Sequence, residues 1–166
     1  RAVLIGSAIP LAGGGNARGR YTVFGELTAM PSITARPDYA GDVASTDAWD
    51  MLKADPKAVL IDVRTRAEWN FVGLPDLAGL GRQIVCLEWQ RFPEMAIDPE
   101  FVAKAGEQLR RAGADAKTPL FFLCRSGARS AAAAKAMTAA GYGHAYNISD
   151  GFEGDMDDQR HRGNRN

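Results

Sequence analysis

Cys124 is the residue best placed to do chemistry. It closes the apolar run "FFLC" (121 to 124) and is followed by Arg125, Ser126, Gly127, Ala128, Arg129 and Ser130, then by a row of alanines. A thiol at the end of a buried strand, ahead of a glycine turn and a helix, is the arrangement that activates sulfur. Gly127 allows a tight backbone path. The N–H groups of the curl and of the helix start have no intrahelical acceptor and can converge on one anionic atom, with the helix dipole adding to the effect. Arg125 and Arg129 bring positive charge. All these contributions favour the thiolate, so the stretch suits nucleophilic sulfur chemistry.

Other reactive residues lack such a setting. Cys86 stands between apolar neighbours in "QIVCLEW" (83 to 89) and reads as a core thiol; its sharper alternative is a resolving thiol for Cys124. Two cysteines and two histidines are too few for a disulfide framework or a standard zinc site, so no metal is expected. His144 and His161 have no partner pattern. "LAGGGNARGR" (11 to 20) is glycine-rich but lacks the Gly-Lys-Ser/Thr ending of a phosphate loop. Glu68 and Glu153 are most simply helix caps. Arg64 is either a pocket residue or a surface or salt-bridge arginine, and Trp69, Trp89 and Phe152 read as core, with Trp89 and Phe152, which follow strand ends, alternatively shaping the pocket entrance.

These residues need elements to hold them. "AVLIDV" (58 to 63), "QIVCLEW", "PLFFLC" (119 to 124) and "HAYNIS" (144 to 149) read as buried strands. Helices are expected at 45–55, at 98–113 with Asp98 as cap and Pro99 at the first helical position, and at 129–141, closed by glycine. "TRAE" (65 to 68) and "DGFE" (150 to 153) are capping-box patterns. Strands alternating with helices predict an α/β domain with a mainly parallel sheet, whose sites collect at the carboxyl ends of the strands. Cys124 sits at such an end.

The 166 residues are formally neutral and 46% hydrophobic, which fits one globular domain and gives no basic excess for nucleic acid. No apolar run is long enough to span a membrane. The few cysteines suit a reducing, cytoplasmic setting; the periplasm is the alternative if residues 1–12, with "AVLIGSAIPLA", are a signal-peptide remnant. Residues 1–42 lack a sustained period and form an irregular N-terminal segment, and 157–166 is a polar tail.

Three motifs, in order, resemble those of the rhodanese family of sulfurtransferases: "LIDVRTRAEW" (60 to 69), the active-site loop "CRSGARS" (124 to 130) and the closing "NISDGFEGD" (147 to 155). The similarity spans about 43–156. It implies a mainly parallel five-stranded sheet with helices on both faces. It also implies a cycle in which Cys124 takes sulfane sulfur from a thiosulfate- or persulfide-type donor and passes it to cyanide or a thiol. The loop from Arg125 to Ser130 would hold the persulfide, Arg125 and Arg129 would attract a small anionic donor, Asp62 would orient the loop from beneath, and Arg64 would support the pocket. No cofactor is implied, and a protein is a possible acceptor. Where the family has a histidine-containing "GHIPGA"-like stretch, this chain reads "VGLPDLAG" (72 to 79). Related phosphatases place arginine after five intervening residues; here that position is Ser130 and the arginine comes one residue earlier, which disfavours phosphate. A sulfur-relay or protein-binding module is the rival from another class. A redox sensor pairing Cys86 with Cys124 is disfavoured, because the implied strand order puts Cys86 on an outer strand.

Overall fold

A computed structural model describes residues 20–23, 26–154 and 158. The expectations for residues 1–12 and 11–19, and for nearly all of the polar tail, fall outside these residues. Strands β1 (Arg20–Val23) and β2 (Glu26–Ala29) form an antiparallel pair, so this part of the expected irregular segment contains regular structure. They belong to a separate compact unit that ends at Met30. The main unit starts at Pro31, ahead of the boundary expected at residue 43. Residue 43 in fact ends strand β3 (Gly41–Val43), and Thr34 bridges to Asp42 just before it.

The main unit is built on a five-stranded parallel sheet in the order β3-β9-β8-β4-β5, with β4 at Val59–Asp62, β5 at Val85–Cys86, β8 at Leu120–Leu123 and β9 at Ala145–Ile148. Between β5 and β8, the short strands β6 (Gln90–Arg91) and β7 (Ala96–Ile97) form a hairpin. Helices α1 (Ser45–Ala54), α2 (Arg66–Val72), α3 (Phe101–Arg111) and α4 (Ala128–Ala139) complete the α/β architecture. The central strands are continuous apolar runs because both their faces are covered.

The period of two along β8 sorts its side chains between two cores. Leu120, Phe122 and Cys124 face the cluster that holds Phe101, Ala105 and Leu109 of α3 and Ala133, Ala134 and Met137 of α4. Phe121 and Leu123 face the cluster that holds Ala48 and Leu52 of α1. Helices therefore pack on both faces, as expected. Strand register alone aims Cys124 at the α4 side. The alanines of α4 are part of this packing, since a small side chain lets helix and sheet approach closely.

Local structure departs from the sequence expectation in three places. Only Val85 and Cys86 of the run 83–89 pair as a strand, because the chain then turns into the hairpin, although Leu87 and Trp89 still donate backbone bonds to Asp62 and Val63. Helix α3 begins at Phe101, so Pro99 precedes it; Asp98 instead accepts a side-chain bond from the Glu100 N–H at 3.0 Å. The "DGFE" stretch opens no helix among the described residues. Asp150 caps α1 from a distance, accepting from the Ser45 N–H at 3.0 Å and its hydroxyl at 2.6 Å.

Candidate functional site

Cys124 leaves β8 at its carboxyl end, and the chain curls through Arg125 and Ser126 to Gly127, the N-cap of α4. Gly127 has φ +88°, a left-handed conformation that side chains resist, and a Cβ there would stand 2.3 Å from the Ser149 carbonyl oxygen. The turn after β9 closes on the same loop. Phe152 N–H donates to the Cys124 carbonyl at 2.8 Å and Glu153 N–H to the Arg125 carbonyl at 3.1 Å. At Gly151, φ +69°, a Cβ would meet the Arg125 backbone at 2.5 Å. The third sequence motif thus acts as a clamp holding the loop of the second.

The loop presents its thiol to a cavity of about 540 Å³ lined by Cys124, Arg125, Ser126, Ala128 and Arg129, with Thr65 and Glu68 opposite. Cys124 is 1% exposed and forms the floor. Ser130 is fully buried; its hydroxyl lies 3.2 Å from the Cys124 Sγ and 3.0 Å from the Gly127 carbonyl oxygen. A hydroxyl has one proton. It can serve the carbonyl when the sulfur carries its own proton and turn to the sulfur when that proton leaves.

Helix α2 supplies the opposite wall. Thr65 caps it in a reciprocal capping box, as its sequence pattern predicts: its Oγ1 accepts from the Glu68 N–H at 3.2 Å, and Glu68 Oε2 accepts from the Thr65 N–H at 2.8 Å. Glu68 does more than cap. Its carboxylate takes both arms of the Arg129 guanidinium, at 2.6 and 2.7 Å. Burial pushes the Glu68 carboxyl up, but the hydrogen bonds from Arg129 and Thr65 outweigh it and hold it at about 2. Arg129 is therefore bound to a fixed counter-charge. Among the described residues Arg125 is the cavity-lining cation without a carboxylate partner.

Asp62 and Arg64 are placed differently from expectation. Both are fully buried and neither lines the cavity. The Asp62 carboxylate accepts from Arg64 Nε at 3.0 Å and Nη2 at 2.7 Å, so it orients the guanidinium; no hydrogen bond joins it to the loop. Arg64 Nη2 also donates to the Gly73 carbonyl at 2.8 Å, and its guanidinium lies 3.9 Å from the Phe152 ring centroid. The pair is an internal strut under the clamp, linking β4, the end of α2 and the Gly-Phe turn. Among the described residues the Arg64 Nη1 has no hydrogen-bond partner.

Cys86 is half-buried on the edge strand, not in the core, and burial pushes its thiol up. Of the residues expected at the site, Cys124, Arg125, Ser126, Ala128 and Arg129 share the cavity. Gly127 shapes the loop and Ser130 reaches the sulfur from behind. Phe71, Val72, Phe92 and Met95, also at the cavity, carried no sequence signal, because exposed apolar residues outside a periodic pattern do not announce a shared position. Glu68 did carry one. It lies in the first motif, but its cap role alone accounted for it.

Several known proteins are similar to this chain. The chain is 47% identical to Rv0390 of M. tuberculosis, whose crystal structure superposes with a TM-score of 0.67 over 75% of this chain and 88% of that one. It is 40% identical over 118 residues to uncharacterized protein RC0915 of Rickettsia conorii, covering 71% of this chain and 88% of that protein. The rhodanese-like domain-containing protein 4 of Arabidopsis thaliana chloroplasts is 27% identical over 122 residues, which are 74% of this chain and 25% of that protein. The sequence profile of the STR4 middle domain matches residues 40–161, across all three motifs, and the chain belongs to that family.

Proposed function

We propose that the protein is a sulfurtransferase that carries sulfane sulfur as a persulfide on Cys124. One observation carries this reading. A lone cysteine ends a central parallel strand on the floor of a cavity, at the start of α4, with the Ser130 hydroxyl 3.2 Å from its sulfur. The unpaired N–H groups of the first helical turn are the natural donors for a charged sulfur there. The chemistry balances without a cofactor. The Cys124 thiolate attacks the outer sulfur of thiosulfate, the S–S bond breaks, and sulfite leaves with the electron pair. Cyanide or a thiolate then attacks the terminal sulfur, and the Cys124 thiolate is regenerated. Arg125 attracts the anionic donor, and the pairing of Arg129 with Glu68 holds the loop closed.

The same pairing weighs against phosphate chemistry. The Glu68 carboxylate takes an N–H from each Nη of Arg129 and neutralises its charge, so Arg129 is a weaker site for a phosphate dianion than a free guanidinium. Thiosulfate-to-cyanide transfer, followed as thiocyanate for the parent and for Cys124→Ser, tests the proposal. Transfer in the parent that disappears in the variant is expected. Equal rates in both proteins would sink it. Among the described residues no helix is long and apolar enough to cross a membrane.

A further inference from the structure

The mouth of the cavity is larger and more apolar than a small inorganic ion requires. Phe71 and Val72, at the end of α2, and Phe92 and Met95, on the turn between β6 and β7, line it together. Phe71 is 90% exposed and Phe92 65%. Single exposed apolar residues are ordinary; four from two separate elements around one opening above a thiol form a patch that calls for a partner. The charge pattern points the same way. Glu68 neutralises Arg129, so the walls offer a nearly neutral passage with Arg125 as the cation still open to an incoming anion. Cys124 is recessed at 1% exposure, so only a slim projecting group reaches it. A second copy of this chain does not supply that group. Its two cysteines are a buried Cys124 and a half-buried Cys86.

We propose that the acceptor of the Cys124 sulfur is a protein cysteine displayed on an apolar segment, whose flanking side chains rest on the collar of Phe71, Val72, Phe92 and Met95. This rests on the persulfide reading above. The incoming thiol loses its proton to water beside Arg125, and the thiolate attacks the terminal sulfur of the Cys124 persulfide. The S–S bond breaks, its electron pair returns to Cys124, and the partner leaves as the persulfide. No external oxidant or reductant is needed.

The test loads the full chain with thiosulfate and measures its discharge by two cysteine peptides of equal length and charge. One has leucine and phenylalanine around the cysteine, the other serines. Seating one or two apolar side chains predicts discharge about tenfold faster for the apolar peptide. In the Phe71→Ser/Phe92→Ser double variant that ratio falls to about one; both sites are exposed, so the variant is expected to fold. Equal rates for the two peptides, in a parent that cyanide still discharges, overturn the docking proposal and leave sulfur transfer standing. An unchanged ratio in the double variant also overturns it. So does a concentration-dependent dimer abolished by that variant, which gives the collar to a second copy. Failure of the parent to acquire sulfur at all overturns the persulfide reading, and this proposal with it.

Discussion

Glu68 shows how one side chain can serve fold and site together. It completes the cap of α2 and fixes Arg129 on the far side of the cavity. Replacing it with glutamine removes the negative member of a charge-assisted pair, costs on the order of 2 kcal/mol and leaves the Arg129 charge uncompensated. The expected kinetic result is a lower KM for thiosulfate in Glu68→Gln, measured in the cyanide assay, because a second cation then faces the dianion. An unchanged or higher KM would mean that Arg129 serves only the loop. The pH dependence follows from the direction of the shift. Glu68 is held at about 2 in the fold against 4.5 for an ordinary glutamate. Its contribution is therefore complete above about pH 4.5 and is lost as the pH falls through about 2. Asp98 behaves alike: Lys104, Arg91 and the Glu100 N–H outweigh its burial and hold it at about 2 against 3.8. Acid titration of stability by circular dichroism should show this loss as the pH falls from about 4.5 to about 2, with a shallower slope in Glu68→Gln.

At the scale of elements, the loop after Cys124 is held by two close backbone approaches, and one buried ion pair braces the Gly-Phe turn that clamps it. A methyl group at Gly127 would enter the Ser149 carbonyl, and one at Gly151 would enter the Arg125 backbone. Each also sits at positive φ. Gly127→Ala and Gly151→Ala are therefore expected to cost at least about 2 kcal/mol each and to impair persulfide formation along with stability. Denaturant melts combined with loading measurements check this; a variant that is stable and loads normally would show that the loop does not need its clamp. The strut below is more sensitive. Asp62→Asn or Arg64→Met leaves a buried charge without its partner, a loss of about 3 to 5 kcal/mol. Thermal unfolding of either variant should show it, although neither side chain touches the cavity. The hairpin bearing Phe92 and Met95 is anchored separately, by Trp89 packed edge-on to Phe101 at 4.9 Å and by Arg91 and Lys104 converging on Asp98 at 2.7 Å.

For the whole molecule, the sequence was informative where local physics decides the outcome. Apolar runs bounded by caps and glycines marked β4, β8, β9 and the helices, and the thiol ahead of "RSGARS" marked the site before any strand order was known. Thr65 and Glu68 formed the cap their spacing predicts, because that bond pattern spans four residues. What remained hidden depends on distant chain. Asp150 and Glu153 spell a capping box, yet Asp150 is drawn to Ser45, which the sheet order brings beside it. Arg64 looks like a pocket residue until the register of β4 and β8 turns it inward under Phe152. The collar joins residues about twenty positions apart that no periodicity relates. The β1–β2 pair lay in a stretch whose composition reads as irregular, and its pairing is a matter of partner strands rather than of propensity.

The most direct measurement is the intact mass of the protein after thiosulfate treatment, with peptide mapping, for the parent and for Cys124→Ser. A Cys124 persulfide predicts one additional sulfur on the parent, located on Cys124, removed by reductant or cyanide and absent from the variant. A parent that gains no sulfur, or that gains it equally on Cys86 in the variant, would contradict it.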